Sequence, residues 1–230
     1  VQRRVYDLVH EAAYNALASP DAAGVVSNKK RMAVFAALTK LRQVACDPRL
    51  LEIPYSAGGK LRALVEIVLD AKAKGEKVLV FSSFKSMILL LEKDLAKFGI
   101  VTCTITGDTE DREGAVKRFQ TDPKVHVFLI TLKAGGSGLN LTAATRVVHF
   151  DPWWNPAAQD QASDRAYRIG QTKPVTVVSL LAAGTVEEKV IQAIGKKRDV
   201  ANLLLGEGED QPLFAHTMAD LLDLLGPPRR

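Results

Sequence analysis

Cysteine is scarce in this chain. Only Cys46 and Cys103 occur in 230 residues, with no CxxC pair and no histidine close to either in sequence. That spacing excludes a scaffold built on disulfides and offers no zinc-ligand pattern, so no metal site is expected and a reducing compartment fits. No apolar run approaches the ~18–20 residues that a bilayer-spanning helix needs. The opening "VQRRVYDLVHEAAYNAL" has no signal-peptide apolar core, and a membrane partner is not expected. An initiating Met is also missing, so the chain is expected to be a piece of a longer protein. No GxxxxGK[ST] loop and no DEAH-like acidic tetrapeptide occurs anywhere, which excludes a self-sufficient nucleoside triphosphatase.

What is present supports a folded protein. Hydrophobic residues make up 47% and charged residues 25%, enough for a core in one domain with an appendage or in two small domains. Thirty-one Lys and Arg against 26 Asp and Glu give a net charge of +5, and the sequence pI is about 9.2. This mild excess permits nucleic-acid binding without requiring it.

Along the chain the periodicity changes twice. Residues 1–57 read as helical: Val5, Leu8, Val9 and Ala12 recur at helical spacing. After a loop, "RMAVFAALTKLRQVACDPRLL" forms a second helix closed by Pro48. Residues 58–184 alternate helices with short apolar strands. "KLRALVEIVLDAKAKG" and "KSMILLLEKDLAKFG" each end in a glycine suited to a C-cap, Gly75 and Gly99. "KVLVFSSF", "VTCTIT", "VHVFLIT", "RVVHFD" and "VTVVSLLAAG" read as strands. Near-continuous apolar strands alternating with helices predict an α/β fold: a doubly wound, mainly parallel sheet with helices on both faces. Residues 185–230 read as a helix capped by Thr185, an acidic break, and a short amphipathic tail.

In such sheets ligands bind beyond the carboxyl ends of the strands, and four stretches lie there. In "FSSFKS", Ser82, Ser83 and Lys85 could donate to phosphate, or a serine could simply cap the next helix. In "TLKAGGSGLNL", Gly135, Gly136 and Gly138 allow a close backbone approach to a ligand, with Thr131 and Lys133 adding a hydroxyl and a charge; an ordinary glycine-rich turn has the same composition. "DPWWNPAAQDQ" makes a rigid aromatic corner or a packing element. Its Asp151 imitates a metal-binding acid at a strand end, against which Pro152 and the missing phosphate loop argue. Finally, "QASDRAYRIGQTKPV" carries Arg165 and Arg168 three residues apart. On a helix these would share one face and could hold one polyanion, or be solvated or paired with Asp160 and Asp164.

Taken in order, "LRQVACDPRLL", "KVLVFSSF", "ITGDTEDREGAVKRFQ", "VFLITLKAGGSGLNLTAATRVVHFDPWWNP" and "QASDRAYRIGQTKPVTVVSLLAAGTVEEKV" resemble the second RecA-like lobe of the Swi/Snf-related ATPases of helicase superfamily two. The likeness runs from about Leu38 to Ile191 and includes helicase motifs IV, V and VI. It implies a RecA-like lobe that works with an upstream RecA-like lobe carrying the P-loop. ATP with Mg2+ would be bound mainly by that first lobe. Arg165 and Arg168 would be arginine fingers, with Gln161, Gly136, Gly138 and Asn140 near the nucleotide. Ser83, Lys85, Gly107, Thr131 and Lys133 would track the backbone of double-stranded DNA. The N-terminal helices would be an entry insertion and the C-terminal segment a brace across the lobes. The resemblance further implies a nucleoprotein target and a place in the cytoplasm or nucleoid of a prokaryote, or the nucleus of a eukaryote. A non-catalytic DNA-binding or protein-interaction module that keeps the lobe fold is the alternative.

Overall fold

The computed structural model describes residues 2–18, 28–55, 58–135, 138–153, 155–168, 170–192 and 225–227. The chain divides into two compact units, Val1–Gly58 with Ala182–Arg230, and Gly59–Leu181.

Among the described residues of the first unit, α1 (Gln2–Ala18) and α2 (Asn28–Cys46) are the long helices. The face that α1 buries differs from the apolar stripe in its sequence. Leu8 is 59% exposed and Ala12 is exposed, while Tyr6 and His10, one turn apart, are buried. Both rings have polar tips that find partners: the Val186 N–H donates to Tyr6 Oη at 2.7 Å, and His10 Nε2 lies 2.8 Å from the Leu225 carbonyl. Burial pushes the Tyr6 phenol up to about 12. Helix α2 ends where Asp47 turns the chain into the short 3-10 turn Pro48–Leu51, its carboxylate accepting from the Arg49 N–H and guanidinium. Thr185 Oγ1 accepts the Glu187 N–H at 3.2 Å, the cap expected at that position.

The second unit is the α/β layer. It contains α3 (Gly59–Ala73), β1 (Lys77–Ser82), α4 (Lys85–Lys97), β2 (Val101–Ile105), α5 (Arg112–Thr121), β3 (Val125–Thr131), α6 (Leu132–Gly135), β4 (Ala144–His149), α7 (Pro156–Ser163) and β5 (Thr176–Ser179). All strand pairs are parallel, in the order β2-β3-β1-β4-β5. Val78, Leu79, Val80, Phe81 and Ser82 are buried in succession, so both faces of the central strand are covered. Leu79, Phe81, Phe128, Ile130 and Val147 join one core with Phe119, Leu141, Ala162 and Ala166, which anchors the segments after β3 and α7 to the sheet.

The last strand is shorter than its apolar sequence predicts. Only Thr176–Ser179 pairs with β4, most of it exposed at the sheet edge, and beyond Leu180, whose N–H still donates to the His149 carbonyl, the chain leaves the sheet. Because every strand runs the same way, the loops after β1, β2, β3 and β4 all emerge at one edge.

Candidate functional site at the carboxyl edge of the sheet

Helix α7 is started by Asn155, whose Oδ1 accepts the Ala157 N–H at 2.9 Å with Pro156 at the first helical position. It stops at Ser163, so Arg165 and Arg168 do not lie on a helix as their spacing suggested. The reason is visible in the backbone. Arg165 and Ala166 donate to carbonyls three residues back, and the Arg165 carbonyl accepts the Leu141 N–H at 3.0 Å from across the site instead of continuing a helix. The two guanidinium groups therefore differ in environment. Arg165 is 4% exposed, and burial together with the neighbouring Arg168 charge holds its pKa below the usual arginine range. Arg168 is exposed, and its Nη1 donates to the Gly138 carbonyl at 3.2 Å.

The glycine-rich segment thus meets the arginine turn directly. Gly138 is exposed with φ +66°, a left-handed conformation that a side chain would strain. Asn140 is exposed and its carbonyl accepts from Gln120 Nε2 at 2.9 Å, while Gln120 Oε1 accepts the Ala143 N–H at 2.9 Å. Gln161 is exposed on α7. Gly136, also expected beside the nucleotide, lies outside the described residues. Sequence reading missed Gln171. Its Nε2 lies 2.9 Å from the Thr142 and Ala144 carbonyls and 3.3 Å from that of Ala166. The available signal was a glutamine next to a glycine just after the arginine pair.

The other expected contacts sit on the neighbouring loops. Ser82 and Thr131 are register partners at the ends of β1 and β3. Asp151, 1% exposed, accepts Ser82 Oγ at 2.5 Å, the Ser83 N–H at 3.1 Å and the Ser83 hydroxyl. The serines therefore tie β1 to β4, and neither caps α4, whose N-cap Phe84 has no side-chain cap bond. Lys85 forms an ion pair with Asp108, next to the exposed Gly107, which brings those two loops together. Thr131 is 7% exposed and Lys133 is exposed on the first turn of α6. Lys60, itself buried, donates its Nζ to the Phe150 carbonyl at 2.9 Å. His149, stacked on Phe81, has its Nε2 2.8 Å from Ser163 Oγ, and burial lowers its pKa to about 4.

Residues 59–170, a span that contains both arginines and the glycine-rich segment, match the helicase conserved C-terminal domain. The structure is similar to the Sulfolobus solfataricus SWI2/SNF2 ATPase core in complex with dsDNA, with TM-score 0.74 and 32% identity, over 86% of this chain and 42% of that one. The chain belongs to the Swi/Snf-related branch of helicase superfamily two. As a C-terminal lobe of that branch it also resembles the S. solfataricus SWI2/SNF2 ATPase C-terminal domain, with TM-score 0.71 and 28% identity, over 90% of this chain and 86% of that one. The Pyricularia oryzae chromatin-remodeling ATPase INO80 is 41% identical over 152 residues, which cover 65% of this chain and 8% of that protein. The Swi/Snf-type lobe described here is thus a small fraction of the length of such curated relatives.

Proposed function

We propose that the chain is the second motor lobe of a DNA-dependent ATPase and translocase. An upstream lobe bearing the P-loop holds ATP with Mg2+, and Arg165 and Arg168 complete the site as arginine fingers. The observation that carries this reading is the arginine turn fastened to the glycine-rich loop, through Leu141 N–H to the Arg165 carbonyl and Arg168 to the Gly138 carbonyl. A buried guanidinium beside a second one gains most from a polyanion, since γ-phosphate charge offsets both the burial and the mutual repulsion. Phosphoryl transfer depends on positioning and charge stabilisation, and such a finger supplies about 10³–10⁵ in rate. Mg2+ belongs to the upstream lobe in this reading: Asp151, the acid at the end of β4, is already engaged by Ser82 and Ser83.

Gln161, Gly136, Gly138 and Asn140 line the nucleotide side. Ser83, Lys85, Gly107, Thr131 and Lys133 follow the phosphate backbone of duplex DNA, by contacts that carry no sequence information. The lobes close on ATP, and reopening after hydrolysis moves the motor along DNA within a nucleoprotein target. The relatives' names and the duplex in the archaeal complex support this assignment.

The test is ATP hydrolysis with and without duplex DNA, by the chain alone and by a two-lobe motor that carries it. Stimulated turnover only with both lobes, lost about 10³-fold in Arg168→Ala with DNA binding retained, is expected. Robust turnover by the chain alone, or near wild-type turnover in Arg168→Ala, overturns the reading. Silence of a folded two-lobe motor would make the chain a DNA-binding module that keeps the lobe fold.

A further inference from the structure

We infer that Gln171 is a positioning residue for the arginine finger Arg168, an assignment that rests on the function proposed above. The side chain uses both ends. Its Nε2 reaches Thr142 O and Ala144 O at 2.9 Å each and Ala166 O at 3.3 Å, and its Oε1 accepts the Lys173 N–H at 3.0 Å. Its own N–H donates to the Arg168 carbonyl at 2.9 Å. One half-buried amide therefore joins three pieces of backbone. They are the exit of the glycine-rich loop, the first residue of β4, and Ala166, the residue that follows Arg165. Ala166 is itself fully buried in the core, so this side of the turn is fixed.

The need for such an anchor follows from what Arg168 must do. In this structure Arg168 is held by the Gly138 carbonyl, and that bond is given up when the guanidinium turns to a phosphate. Two tethers then keep the turn in register with the loop: Leu141 N–H to the Arg165 carbonyl, and the Gln171 amide. The second spans 27 and 29 residues of sequence and is the one made by a side chain. Removing its donors frees the turn by a fraction of an ångström to an ångström, and misplacement on that scale costs about 10²-fold in rate.

Gln171→Met keeps length and removes the donors. In the two-lobe motor we expect kcat to fall roughly 10²-fold, with the KM for ATP and the Kd for duplex DNA within about twofold. Placed on Arg168→Ala and followed in single-turnover experiments, the same substitution should add no further loss, because its effect passes through the finger. Gln171→Asn, a methylene shorter, carries the same comparison should Gln171→Met not fold. A folded variant with wild-type kcat, a loss that multiplies that of Arg168→Ala, or failure of both variants to fold overturns the assignment. An Arg168→Ala motor with normal turnover would instead sink the finger reading, whatever Gln171 does.

Discussion

At the scale of single residues, two buried groups set how this lobe responds to its surroundings. His149 titrates near 4 in the fold because burial disfavours the imidazolium, against 6.5 when unfolded. Between those values the unfolded chain binds more protons, so stability rises with pH and is lost as pH falls from 6.5 towards 4. By this group alone the loss from pH 7.5 to pH 5 is about 2 kcal/mol. Denaturant titrations of wild type and His149→Gln at both pH values should show that difference in the wild type and not in the variant. Asp151 acts through hydrogen bonds. Its carboxylate gathers Ser82 and Ser83 at the junction of β1 and β4, and Asp151→Ala leaves buried donors without their acceptor. The expected cost is about 2–4 kcal/mol, a fall of roughly 5–15 °C in the thermal midpoint. A fall of under 2 °C would mean the serines find other acceptors.

At the scale of elements, helix α5 shows two local preferences in conflict. Asp111 caps it by accepting the Gly114 N–H at 2.8 Å, and a methyl group on Gly114 would run into that same carboxylate. Gly114→Ala therefore gains helix propensity of about 1 kcal/mol and loses a cap of similar worth, leaving stability nearly unchanged. In an Asp111→Ala background the same substitution should stabilise by about 1 kcal/mol, and additivity of the two changes in urea melts would refute the conflict. Element type was legible in the sequence wherever burial is nearly continuous: β1, β3 and β4 announce themselves as near-continuous apolar runs, and Gly75 and Gly99 close their helices where expected. Legibility failed where a distant partner decides. The apolar run after Val175 keeps only four residues in the sheet, and beyond α7 the Arg165 carbonyl accepts from Leu141, far away in sequence. The hydrogen bonds of Gln171, Gln120 and Asp151 reach across 20 to 69 residues, and no local period encodes them. The arginine pair itself was legible as chemistry, but not the burial that separates Arg165 from Arg168.

At the scale of the whole molecule, the proposed duplex contacts make a statement about salt. Each lysine that neutralises a phosphate contributes about 0.9 to the slope of log K against log salt concentration. Lys133 is exposed, whereas Lys85 already faces Asp108, so Lys85 exchanges one anion for another and releases less. In the two-lobe motor Lys133→Ala should lower the slope by nearly one unit and Lys85→Ala by clearly less, measured by fluorescence anisotropy across salt. Equal changes would mean that the Asp108 pair does not persist in solution.

Helix α5 turns into β3 at Asp122–Lys124, residues to which no role is assigned here. Lys124 is exposed there, and both native thiols are buried, with burial raising the Cys103 pKa as well. Lys124→Cys would therefore give a single reactive thiol for a maleimide dye. Through it the proposed opening and closing of the lobe against a labelled upstream lobe could be followed molecule by molecule, with the arginine turn left unmodified.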